Sequence, residues 1–122
     1  MTVRIAVVGA GAWGTTIAQC FADNGHEVFL WCYNDQTANN INNNQSHRRL
    51  PGVKLNQSIQ AVTQLSDCYD VDYLILGLSS SQLVDYEKII DWPAIKCPIG
   101  ILAKGLIGAN IFISDWIAQR SS

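Results

Sequence analysis

Three glycines stand at positions 9, 11 and 14 in the stretch GAGAWG, directly behind the apolar run VRIAVV and ahead of TTIAQCFADNGHEV. The chemistry this spacing offers is anion binding by backbone. Gly9 allows a tight turn off a strand, Gly11 leaves room for a pyrophosphate to approach the main chain, and Gly14 lets the following helix pack close to the sheet. The helix N-terminus presents free N–H groups and a partial positive charge to the phosphates. A GxGxxG string alone is weak, but here a strand precedes it, a helix follows, and a second strand comes about fifteen residues on, the context that gives the pattern its mechanism.

A dinucleotide site also needs a group for the adenosine ribose, commonly an acid about twenty residues after the glycines. That place reads Trp31-Cys32-Tyr33-Asn34-Asp35. Asp35 is near the expected spacing, and Asn34 is a second hydrogen-bonding candidate. The stretch has no Arg or Lys to pair with a 2′-phosphate, which leans the choice to NAD over NADP; Arg48 or Arg49, folding back, would supply the missing cation. Lys104 follows the apolar run IGILA, at the strand end where ligands of open α/β sheets bind. Its ammonium there would attract a substrate phosphate or polarise a carbonyl oxygen, and Gly105 beside it permits close approach. His26 is read as capping or packing at its turn, and His47 is given no role. Asp67, Asp70 and Asp72 read as a solvated turn rather than a metal site, and Ser79, Ser80 and Ser81 lack the His and Asp partners of a hydrolytic nucleophile.

The elements that must position these groups follow from periodicity. Residues 3–8, 27–31, 61–63, 73–78 and 99–103 read as strands. Helices are expected from Thr15 to about Asn24, over Gln36–Ile41, over Ser80–Ile90 with Ser79 or Ser80 as N-cap, and over Ile111–Ala118. Asn24-Gly25 ends the first helix, Asp91-Trp92-Pro93 the third, and Asn42–Ser46 is expected as loop. Strands alternating with helices imply an α/β fold, a doubly wound parallel sheet, in one domain over 1–122.

Composition sets the bounds. The chain has 122 residues, 48% hydrophobic and 15% charged, with a formal net charge of −2. It folds as one domain, has no basic stripe for nucleic acid, and shows no apolar run of the ~18 residues a membrane helix needs. The N-terminus does not read as a signal peptide. Four cysteines without a CxxC pair read as reduced thiols in a cytoplasmic protein, and no metal site is expected.

GAGAWGTTIA, NGHEVFLW, RRLPGVKL and LAKGL, in this order and spacing, resemble the bacterial-type NAD(P)-dependent glycerol-3-phosphate dehydrogenases from Ile5 to about Trp116. The resemblance implies a Rossmann-type N-terminal domain that binds NAD or NADP, in an oxidoreductase passing a hydride between nicotinamide and dihydroxyacetone phosphate or sn-glycerol 3-phosphate for phospholipid synthesis. It places Ala12 and Trp13 in the cofactor loop, Tyr33 and Arg49 near the adenosine end, and Lys104 at the junction of substrate and nicotinamide. Three departures stand out: Ala12 where serine is common, Tyr33 where arginine is common, and Ser79 where proline is usual. Family members are much longer, and their C-terminal helical domain carries the acid–base lysine. The chain is therefore expected to be a truncated cofactor domain, inactive alone, with apolar surface near Ile111, Phe112 and Trp116 prone to self-association. A non-enzymatic dinucleotide-binding module and a non-functional remnant are the alternatives.

Overall fold

The computed structural model describes residues 2–101, 106–107 and 111–112. Five parallel strands form one sheet in the order β3-β2-β1-β4-β5: β1 (Arg4–Val8), β2 (Glu27–Trp31), β3 (Ile59–Val62), β4 (Tyr73–Leu76) and β5 (Ile99–Ile101). The order reverses between β1 and β4, so the crevice above their carboxyl ends is the topological switch point of a doubly wound sheet. Side chains of β1 alternate between two cores because both faces are covered. Ile5 and Val7 pack with Val28, Leu30, Ala18 and Ala22 of helix α1 (Ala12–Asp23), and Ala38 and Ile41 of α2 (Asp35–Asn44). Ala6 and Val8 pack with Phe29, Trp31, Leu74 and Leu76, and with Leu83 of α3 (Ser80–Tyr86). Each core holds a buried cysteine, Cys32 or Cys68; burial pushes both thiols from 9.0 up to about 12, so they stay protonated and inert at neutral pH.

Several boundaries differ from the sequence expectation. Helix α1 begins at Ala12, so Ala12, Trp13 and Gly14 form its first turn; it ends at Asp23, with Asn24-Gly25 following as expected and Gly25 at φ +89°. Helix α2 runs through the asparagine-rich stretch expected as loop. Two contacts explain this. The Asn34 side chain accepts from the Thr37 N–H at 2.8 Å, capping the start, and Asn42 both donates to the Ala61 carbonyl and accepts from the Ala61 N–H, each at 2.9 Å. The helix is thereby tied to β3, and Ala38 and Ile41 are buried beneath it. Tertiary packing outweighs the low helix propensity of asparagine.

Ser79 caps α3 in a reciprocal box with Gln82, but the helix stops at Tyr86 rather than Ile90. The Trp92 indole donates to the Glu87 carbonyl at 3.2 Å, and the Asp91 N–H donates to the Tyr69 hydroxyl at 2.9 Å, so the bonds that would continue the helix are taken. Residues 111–112 are also a correction: Ile111–Phe112 is a short strand, β7, paired antiparallel with β6 (Leu106–Ile107), not the start of a helix. β-Branched and aromatic residues favour the strand. The remainder of that expected helix, 113–118, lies outside the described residues.

Candidate functional site

The three glycines form the floor of a cleft at the switch point. Gly9 has φ +118°, a left-handed conformation that disfavours any other residue, and its N–H donates to the Trp31 carbonyl at 3.3 Å. A Cβ at Gly14 would run into the Gly9 carbonyl oxygen, and Gly77, just after β4, would bring one within 3.1 Å of the Gly14 Cα. Gly9, Gly14 and Gly77 are thus the contact at which α1 closes on the sheet. Gly11 differs: it caps α1 in extended backbone, and a Cβ there would meet nothing within 4 Å. The open volume beside it adjoins the first turn of the helix, whose N–H groups have no intrahelical partners. A flat, multiply charged pyrophosphate fits that cradle in shape and in sign.

A cavity of about 290 Å³ opens there. Gly9, Ala10 and Gly11 supply one wall; Trp31, Tyr33, Asn34 and Thr37 supply the second; His47, Arg48 and Arg49 the third; Leu78, Gln82 and Tyr86 the last. Of the residues singled out in the sequence, Gly9, Gly11, Tyr33, Asn34 and Arg49 are therefore brought together. Ala12, Trp13 and Gly14 stand beside them in the first turn of α1, with Trp13 74% exposed. Asp35 does not join them. The Asn34 cap turns the chain into α2, and Asp35, its first residue, lines a different cavity with Asn42 and Asp67. Lys104 and Gly105 lie outside the described residues.

Tyr33 and Tyr86 stand at the edge of the cavity with ring centroids 5.6 Å apart, and Tyr86 packs edge-on against Trp31 at 5.4 Å. Tyr33 is 72% exposed overall, so it presents aromatic surface of the kind on which a purine stacks.

His47, given no role in the sequence, ties the far wall to the glycine loop. It is 6% exposed. Its Nδ1 accepts from the Arg49 N–H at 3.0 Å, so the ring proton is on Nε2, which donates to the Ala10 carbonyl at 2.6 Å. No sequence pattern announces a bond that spans 37 positions. Gly77 had a signal, a glycine inside the apolar run YLILGL, which marks close backbone approach. His47→Ala removes both bonds. Dinucleotide affinity is expected to fall ~10-fold and stability by ~2 kcal/mol, at ~1 kcal/mol per bond. His47→Gln, whose amide can reach Ala10, should recover part of the affinity. Titration calorimetry and urea unfolding check both; unchanged affinity in His47→Ala would remove the histidine from the site.

The remaining candidates are occupied elsewhere. The Asp72 carboxylate accepts from the Arg4 N–H at 2.8 Å, and Asp70 pairs with the Arg4 guanidinium at 3.4 Å. His26 Nδ1 accepts from the Val3 N–H at 3.3 Å and packs edge-on against Phe21.

Parallel sheet, switch-point crevice and glycine cradle define a Rossmann-type dinucleotide-binding domain. Over residues 4–120 the chain matches the family described as the NAD-dependent glycerol-3-phosphate dehydrogenase N-terminus, and it belongs to that family. It is 36% identical over 121 residues to the glycerol-3-phosphate dehydrogenase (NAD(P)+) of Parvibaculum lavamentivorans, covering 97% of this chain and 36% of that one. With the enzyme of the same name from Citrifermentans bemidjiense it shares 40% identity over 85 residues, 69% of this chain and 25% of the relative. The crystal structure of glycerol-3-phosphate dehydrogenase from Coxiella burnetii has the same fold, with a TM-score of 0.80 at 23% identity over 98% of this chain and 38% of that one. The chain thus spans 25–38% of the length of these relatives.

Proposed function

We propose that this chain holds the dinucleotide in a glycerol-3-phosphate dehydrogenase that interconverts dihydroxyacetone phosphate and sn-glycerol 3-phosphate, a step supplying phospholipid synthesis. The observation that carries the reading is the glycine cradle: Gly11 opens on unfilled space at the start of α1, while Gly9 and Gly14 close the turn behind it. Bound there, the dinucleotide supplies or accepts the hydride. The chain's own part is to hold and orient it. Gly9, Gly11, Ala12, Trp13 and Gly14 receive the pyrophosphate; Tyr33, Asn34 and Arg49 hold the adenosine. Lys104, which follows β5 in the sequence, serves the junction of nicotinamide and substrate phosphate, with Gly105 giving close approach.

The cytoplasmic location belongs to the same reading, supported by four unpaired thiols. So does self-association. The side chains of Ile111, Phe112 and Trp116 lie outside the described residues; among the described residues, Phe21, Tyr73, Ile75 and Ile99 line an apolar groove of about 530 Å³ that offers further apolar surface.

Thermal unfolding with and without ligand tests the reading. NADH at ~100 times its Kd is expected to add ~2.7 kcal/mol, raising Tm by roughly 10 °C. With dihydroxyacetone phosphate added, the 122-residue chain is expected to consume no NADH. An unmoved Tm at millimolar NADH and NADPH would overturn the reading.

A further inference from the structure

His47 makes two bonds with two purposes. Nδ1 accepts the Arg49 N–H at 3.0 Å and so closes the turn His47–Leu50 from within; Nε2 donates to the Ala10 carbonyl at 2.6 Å and fastens that turn to the glycine loop. The turn itself is made by the Leu50 N–H donating to the His47 carbonyl at 2.9 Å. On either side the chain is tied to its own neighbours. The Ser46 N–H reaches the Asn40 carbonyl at 3.3 Å, and the Leu55 N–H reaches the Gln45 carbonyl at 2.8 Å. Among the described residues, no other hydrogen bond joins residues 47–53 to the glycine turn. The cavity wall of His47, Arg48 and Arg49 is thus held shut by one buried imidazole.

The bond to Arg49 requires the neutral ring. A protonated Nδ1 carries its own N–H and would face the Arg49 N–H, donor against donor. The surroundings offer an imidazolium no partner. The ring borders the dinucleotide cavity and an adjoining one of about 240 Å³, and no carboxylate lines either. Its own turn contributes the Arg48 and Arg49 guanidiniums. The start of α2 contributes amides and a hydroxyl, while Asp35 lines a different cavity. The end of β2 contributes Tyr33 and α3 contributes Tyr86, phenols of a kind that ionises near pH 10. The glycine turn leads into the positive end of α1.

Histidine is the side chain that changes charge between about pH 5 and 8. Resting on the cofactor reading above, we propose that His47 is a proton-operated latch on the dinucleotide cleft: the neutral ring holds Arg48 and Arg49 against the glycine turn, and the protonated ring releases them. The sign follows from which form binds. The dinucleotide takes the closed cleft, and the closed cleft holds the ring neutral. Affinity therefore falls as pH falls, and binding expels a proton from those chains that carry one. The charge gained by the ring would, alone, draw the pyrophosphate. That attraction is screened over about 8 Å at physiological salt, and it departs with the turn once the turn swings out.

The test is calorimetric titration of the 122-residue chain with NADH at about pH 7.5 and about pH 6, each in two buffers of different ionisation enthalpy. NADH is the probe because its pyrophosphate keeps its charge over this span. Affinity is expected to be at least ~3-fold lower at the lower pH, with proton release on binding, as for one titrating histidine. In His47→Gln, whose amide does not titrate, the two affinities should agree. The unaltered chain supplies a second readout that needs no variant to fold. Protection of the Arg49 amide from hydrogen exchange, corrected for the intrinsic effect of pH, should drop at least ~3-fold at the lower pH. Affinity that holds or rises toward acid, a fall that survives in His47→Gln, or Arg49 protection unmoved by pH would overturn the latch and leave the cofactor reading intact. No saturable binding at either pH would overturn the cofactor reading, and the Arg49 amide would then decide the latch alone.

Discussion

Gly14→Ala is expected to destabilise the chain by at least ~3 kcal/mol and to lower its Tm by roughly 10 °C or more. Helix propensity argues the other way, because alanine in place of glycine inside a helix ordinarily gains about 1 kcal/mol. The added methyl, however, lands on the Gly9 carbonyl oxygen, with the Val7 side chain 3.5 Å away. The obstacle is backbone, which has no rotamer to escape into. Gly9 cannot easily yield either, since its φ of +118° and its own tight approach to Gly77 hold it. To relieve the clash α1 must lift from the sheet, loosening Ala18 and Ala22 from the core. For a domain with ~5–15 kcal/mol of stability that is a large share. Urea unfolding checks it; a variant as stable as the parent would mean that α1 does not sit against Gly9 as described.

Gly11→Val makes the complementary case. A Cβ at this position meets no atom within 4 Å, and the backbone is extended, with φ −74° and ψ −176°. Valine is a poorer cap than glycine, so the stability loss should stay near 1 kcal/mol. Its branched side chain would occupy the open volume beside the first turn of α1. Dinucleotide affinity should fall at least ~100-fold, about 2.7 kcal/mol. The two variants separate the roles inside one motif, one glycine needed for the fold and the other for the ligand. A Gly11→Val chain that binds with the parent's affinity would show that the phosphates lie elsewhere.

The parallel sheet was legible because VRIAVV, EVFLW and YLILGL are apolar without alternation, the mark of strands covered on both sides. The glycine turn was legible because its spacing carries a mechanism that strand and helix context completes. Helix α2 was not, because it depends on Asn42 bonding to Ala61 on β3, and the asparagines around it carry no local helical signal. The early end of α3 likewise rests on the Tyr69 hydroxyl reaching Asp91 across 22 positions. At the site, the placement of Gly9 and Gly11 in the cleft was legible from their spacing, whereas that of His47 was not, because its bond to Ala10 forms only when its loop folds over the glycine turn. Asp35 shows the converse. Its spacing was near that of a ribose-binding acid, yet a cap one residue earlier turned it to another cavity.

The most direct test of the central claim, that the glycine loop holds a dinucleotide, is a titration of the purified chain with NADH and NADPH followed by tryptophan emission. Trp13 stands in the first turn of α1 and Trp31 in the cavity wall. Saturable quenching is expected, diminished in Trp13→Phe and absent in Gly11→Val. Emission that stays unchanged to millimolar concentrations of both dinucleotides, or quenching of equal affinity in Gly11→Val, would contradict it.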